Sequence, residues 1–166
     1  METNLSAIRS YLINLGFDEN SDLTLEDDFY VSPFIEYNLK YKENSSGNFL
    51  LQLKYNYKIS LFQITFWGRD FFEEWLENEK LINASLLTNR INNGINVGSF
   101  WLDLDSGTLA FNCGMIISNN SLDPNIIKLN IDLMTATLET YYPSIKDYIL
   151  SQGTENDFIN AIATIS

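Results

Sequence analysis

The sequence predicts an α+β fold: a five-stranded antiparallel sheet with helices packed mainly on one face, in the order α-βββ-α-ββ-α. Three observations carry that expectation. Apolar and polar residues alternate between Phe34 and Trp67 and again between Phe100 and Ile117, the period of half-buried strands. Around these stretches, apolar residues recur every three or four positions, the period of amphipathic helices. Short turn-forming segments join the alternating runs, as between antiparallel neighbours. The stretch from Asn93 to Pro143 organises the rest, reading as a helix end, a β-hairpin and a long amphipathic helix.

In chain order, Leu5, Ile8, Leu12 and Leu15 share a helical stripe and Gly16 follows as a C-cap, so residues 3–15 form a helix. Between Asp18 and Asp28, the acids Asp18, Glu19, Asp22, Glu26, Asp27 and Asp28 stand without a basic residue. This run reads as a solvated linker, or else as a docking patch for a basic segment or a loose cation site. Ile35, Tyr37, Leu39 and Tyr41 then alternate with Glu36, Asn38 and Lys40, and a loop over Glu43–Asn48 closes that strand. Phe49, Leu51, Leu53, Tyr55 and Tyr57 continue on one face before the phase flips to Phe62, Ile64 and Phe66. The flip demands a turn or bulge near Lys58–Ser60, giving a three-stranded meander whose apolar face helices must cover.

Gly68 ends that sheet segment, and Asp70 caps a short helix carrying Phe71, Phe72, Trp75 and Leu76. After a break near Lys80, residues 81–92 form a second helical piece with Leu86, Leu87 and Ile91 as its apolar stripe, closed by Asn93-Gly94 as a left-handed cap. Phe100, Leu102 and Leu104, the turn Asp105-Ser106-Gly107-Thr108, and Leu109, Phe111, Cys113, Met115 and Ile117 make a hairpin. Ser121-Leu122-Asp123-Pro124 opens the longest helix, with Ile127, Ile131, Met134, Leu138, Tyr141 and Ile145 in one stripe; Pro143 is expected to kink or restart it. Thr154-Glu155-Asn156-Asp157 starts a tail helix bearing Phe158, Ile159, Ile162 and Ile165.

Composition bounds the function. The 166 residues, 45% hydrophobic and 14% aromatic, suit a single domain over 1–166 with one core. A formal charge of −12 opposes contact with phosphate backbones and anionic lipids, so neither nucleic acid nor membrane is an expected partner. The beginning of the chain lacks a signal-peptide pattern and no apolar run is long enough to span a bilayer, which points to the cytoplasm. The single Cys113 fits a reducing compartment. Histidine is absent, which removes the commonest general base and metal ligand; no cofactor or metal is expected. Asp103 and Asp105 resemble the opening of a calcium loop, but Gly114 stands where the bidentate Glu is needed.

Within the hairpin and long helix, the local text Gly98-Ser99-Phe100-Trp101-Leu102-Asp103, then Gly107-Thr108-Leu109, Leu122-Asp123-Pro124 and Thr140-Tyr141-Tyr142-Pro143 is similar to the YbjN family. The element order resembles the type III secretion chaperone-like fold to which that family belongs. The matching residues span 93–165, while the first ninety agree in element order alone. The resemblance implies a small acidic bacterial protein, usually dimeric, without enzymatic activity: a sensory-transduction regulator, or a chaperone that holds extended segments of its clients. The chain departs from a typical secretion chaperone in its longer Asp18–Asp28 region and its added helix at Phe71–Leu76.

Three functional expectations follow. The first is a non-enzymatic protein-binding module, chaperone-like or regulatory, acting as a homodimer and taking a protein or peptide partner at Trp101, Asp103 and Trp67. Trp101 is its centre, because it falls in phase with Asp103 on its own strand and with Thr108, Ala110 and Asn112 on the facing strand, away from the apolar side. The second is a structural or signalling dimer without a client, joined through Leu86, Leu87 and Ile91 or through the Ile127–Ile145 stripe. The third and weakest is a hydrolase using Asp103 and Asp105 as an acid and base pair.

Overall fold

The computed structural model describes residues 2–17, 23–42, 45–68, 78–103, 108–118, 122–151 and 154–164. Helix α1 (Glu2–Asn14) leads into strands β1 (Thr24–Glu26), β2 (Phe29–Val31), β3 (Ile35–Lys42), β4 (Ser45–Asn56) and β5 (Leu61–Gly68). Then come α2 (Asn78–Asn92), β6 (Ser99–Asp103), β7 (Thr108–Ile116), α3 (Pro124–Leu150) and α4 (Glu155–Thr164). The fold is α+β, with an antiparallel sheet ordered β1-β2-β4-β5-β7-β6 and β3 also paired to β4. The expected helix at Phe71–Leu76, the hairpin turn at Asp105–Gly107 and the acids Asp18–Asp22 lie outside the described residues.

Among the described residues the sheet has seven strands, two more than the alternation predicts. The extra pair comes from the acidic stretch read as a linker: Thr24–Glu26 pairs with Phe29–Val31 around Asp27, whose φ of 50° makes the tight turn. Three-residue strands carry too little alternation to register as a period. Their position is set by β4, whose 12 residues serve two partners along one edge, β3 at one end and β2 at the other. Where β2 hands over to β3, Ser32 N–H donates to Leu53 O (2.8 Å) and Leu53 N–H donates to Ser32 Oγ (2.9 Å), so a hydroxyl completes the ladder. Asp28 of the turn also pairs with Lys58 at 2.7 Å.

One face of the sheet is the core. Leu51, Leu53 and Tyr55 of β4 stand opposite Phe66, Ile64 and Phe62 of β5, which stand opposite Phe111, Cys113 and Met115 of β7. Helices α1 to α4 contribute to the same buried cluster. In α3, Ile127, Ile131, Met134, Leu138 and Ile145 are buried, while Tyr141 is half-buried and Tyr142 takes the core position beside it. The helix runs on through Pro143, which was expected to interrupt it. The proline forfeits one N–H bond, and the buried neighbours Leu138, Tyr142 and Ile145 hold both sides of it on the core.

Two asparagines help lock the helices to the sheet. Asn4, fully buried, donates through Nδ2 to Tyr55 Oη (2.9 Å) and accepts Leu122 N–H at Oδ1 (3.1 Å), tying α1, β4 and the approach to α3. At the end of α2 the expected left-handed cap is absent, since positive φ among the described glycines belongs to Gly16 and Gly98. Instead Asn92 Nδ2 donates to Phe100 O (2.8 Å) and Asn92 Oδ1 accepts Phe100 N–H (2.7 Å). A side-chain amide thus imitates a neighbouring strand at the β6 edge, protecting that edge from further pairing.

The stripe proposed for a dimer contact divides. Leu87 is 0% and Ile91 2% exposed, both within the core cluster, whereas Leu86 is 52% exposed. Leu87 and Ile91 are spent on the protein's own interior, because the helix must cover the β6 end of the sheet. The buried Ile127–Ile145 stripe is spent in the same way.

Candidate functional site

The face turned away from the helices is built by the even-numbered residues of β4 and the odd-numbered residues of β5 and β6. Cross-strand register sets Leu50 opposite Trp67, Trp67 opposite Ala110, and Ala110 opposite Trp101. Four strands therefore contribute one continuous row. Ala110 is the smallest member and is 0% exposed, because the two indoles close over it. Their rings meet edge to face at 5.9 Å and 70°. None of Leu50, Trp67, Ala110 or Trp101 belongs to the core cluster on the other face.

Trp101 remains 51% exposed in this arrangement. Trp67 is half-buried, and its Nε1 is screened from water without a hydrogen-bond acceptor among the described residues. Asp103 lies on the same face, two residues along β6 and opposite Thr108. The structure thus brings Trp67, Trp101 and Asp103 to one face. Ala110, read from the sequence as in phase with Trp101, lies between the two indoles, while Leu50 completes the row and escaped sequence reasoning, since a leucine becomes notable only when register places it beside a tryptophan.

Local geometry positions β6. Gly98 enters the strand at φ 74°, and a Cβ there would lie 2.8 Å from the Phe111 ring and 2.9 Å from Asn112 O. With Asn92 holding the outer edge at Phe100, the strand that carries Trp101 is pinned at its start and along its side.

Asp103 stands on this face, while Asp105, its expected catalytic partner, lies outside the described residues. No group of three or more His, Cys, Asp or Glu residues able to hold a metal occurs among the described residues. Cys113 sits on the helix side of the sheet; burial pushes its thiol up, partly offset by the backbone N–H of Gly98, so it is a poor nucleophile. Tyr11 is pushed up to about 12, first by burial and then by neighbouring Tyr37 and Asp132. A separate cleft of about 390 Å³ opens between α3 and α4, lined by Glu139, Asp147 and Asp157 with several hydroxyls. Asp157 is engaged in the Thr154 cap, its Oδ2 accepting Thr154 N–H at 2.9 Å. No described helix is long and apolar enough to cross a membrane.

No family model and no curated protein matches the chain. Among solved structures it is similar to a HopA1–SchA chaperone–effector complex, at 15% identity and a TM-score of 0.44, over 81% of this chain and 88% of that one. A likeness at this level assigns neither a partner nor an activity.

Proposed function

We propose that the protein is a non-enzymatic binding module whose protein or peptide partner docks on the Leu50–Trp67–Ala110–Trp101 row. The observation that carries this reading is the half-exposed Trp101, braced by Trp67 on the face no described helix packs against. A rigid indole with one side supported and the other wet loses little entropy on contact and buries much area, which is why tryptophan anchors interfaces. The formal charge of −12, with Asp103 on the same face, favours a partner that brings basic residues around an apolar anchor.

The test is affinity capture of the tagged protein at moderate salt beside Trp101→Ala, with mass spectrometry of what is retained and calorimetric titration of the purified candidate. The expected result is one protein that binds the natural chain and is lost with Trp101→Ala, while Trp101→Phe keeps part of the affinity. Equal retention by the natural chain and Trp101→Ala overturns the assignment to this face.

A further inference from the structure

We infer that the partner's anchor on the outward face is a tyrosine, its ring laid on the Trp67 and Trp101 indoles and its hydroxyl bonded to the polar row beside them. The inference rests on the docking reading above and names the chemistry that the face selects. The polar row runs next to the apolar one, two residues along each strand: Gln52 stands opposite Thr65, Thr65 opposite Asn112, and Asn112 opposite Ser99. Gln52 and Thr65 are 7% and 5% exposed, although they share the outward face with Trp67. The Gln52 amide and the Thr65 hydroxyl have no hydrogen-bond partner among the described residues.

Buried polar side chains in a folded protein are nearly always paired, and covering an unpaired one costs the full loss of its hydration. Trp67 Nε1 is cut off from water, whereas the polar atoms of Gln52 and Thr65 are not. They stand at the margin of the apolar row, where a docked partner covers them. A purely apolar anchor leaves both unsatisfied. An anchor with an apolar body and a polar tip satisfies them while still covering the indoles.

Spacing and charge narrow that anchor to tyrosine. Two residues of strand set the rows about 6.8 Å apart, close to the length of a tyrosine side chain from its first carbon to its oxygen. The phenol hydroxyl donates and accepts, as the amide and the hydroxyl facing it do. A lysine or arginine head would be desolvated there without a carboxylate, since the row holds only amides and hydroxyls. Asp103 lies on the other side of Trp101, two residues the opposite way along β6 from Ser99. Basic residues of the partner therefore belong on the Asp103 side and the tyrosine hydroxyl on the Gln52 side. An acidic tip is disfavoured by the formal charge of −12.

The probes are two peptides blocked at both ends, lysine-tyrosine-lysine and lysine-phenylalanine-lysine, titrated into the isotope-labelled chain and followed by nuclear magnetic resonance. Both are expected to move the Trp101 indole signal, with the tyrosine peptide about tenfold tighter, the value of one or two added hydrogen bonds. Gln52→Met and Thr65→Val, each checked for folding by circular dichroism, bring the tyrosine peptide down to the affinity of the phenylalanine one and leave the latter unchanged. Trp101→Ala weakens both. Equal affinities in the natural chain, or a preference that survives Gln52→Met and Thr65→Val, overturn the tyrosine anchor and leave the docking face standing. Should a variant fail to fold, the comparison of the two peptides on the natural chain still decides. If neither peptide binds, or if Trp101→Ala binds both as well as the natural chain does, the docking face falls and the anchor with it.

Discussion

On β5, Phe62, Ile64 and Phe66 point to the helices and are fully buried, while Gln63, Thr65 and Trp67 of the same strand point the other way. Each set includes an aromatic, yet Phe66 belongs to the core cluster and Trp67 does not. The same division recurs on β6 between Phe100, 4% exposed, and Trp101, 51% exposed. An aromatic in a strand is thus not in itself a core residue. Its role depends on which side of the pleat the helices occupy.

The largest expected effect separates the same two environments on α2. Leu87→Asp places an unpaired carboxylate at a fully buried position and should cost ~4 kcal/mol or more, enough to lose cooperative unfolding in denaturant. Leu86→Asp, one residue away and exposed, should stay within ~0.5 kcal/mol of the natural chain in the same titration. If both behave alike, the orientation of α2 described above is wrong.

Next comes Asn4→Ala on the covered face. It removes the partner of both Tyr55 Oη and Leu122 N–H in a buried site and should lower unfolding stability by about 2–3 kcal/mol. On the opposite face, Trp101→Ala should cost only ~1 kcal/mol, the edge contact with Trp67 plus a partly wet side chain. A loss as large as that of Asn4→Ala would make Trp101 a structural residue and weaken its assignment to docking.

The smallest effect is invisible at neutral pH. Tyr11 titrates above its unfolded value, so the folded state holds its proton more tightly. The resulting stabilisation is fully present below the ordinary tyrosine value and is lost as pH rises from there toward about 12. Urea midpoints should therefore fall in that alkaline window, and Tyr11→Phe should flatten the fall while leaving neutral stability nearly unchanged. An unchanged alkaline slope would place the proton uptake on another group, such as Cys113, whose thiol is raised in the same direction.

Much of the fold was legible because periods survive in the sequence. The alternation over Ile35–Phe66, the phase flip near Lys58–Ser60 and the Asp123-Pro124 start of α3 all reappear as elements, with Asp123 Oδ1 accepting Asn125 N–H at 2.6 Å as an N-cap. The capping box at Thr154 and Asp157 also forms. The β1–β2 hairpin was illegible, because three residues per strand hold no period and β4 supplies the register. Continuity through Pro143 was illegible too, since it depends on core contacts distant in sequence. For the candidate site, the phase of Trp101 against Ala110 and Asp103 was readable and Trp67 was grouped with them, whereas the register that sets the two indoles on either side of Ala110 was not.

By itself the sequence determined which residues share a face of each strand or helix, because side-chain direction follows the local backbone period. It determined the charge and the absence of histidine. Only the tertiary structure decided which faces are covered: Leu87 inward and Leu86 outward, and Trp67 and Trp101 joined over Ala110. Burial is a property of what packs against a face, and that is settled by strand register and helix docking between residues far apart in the chain.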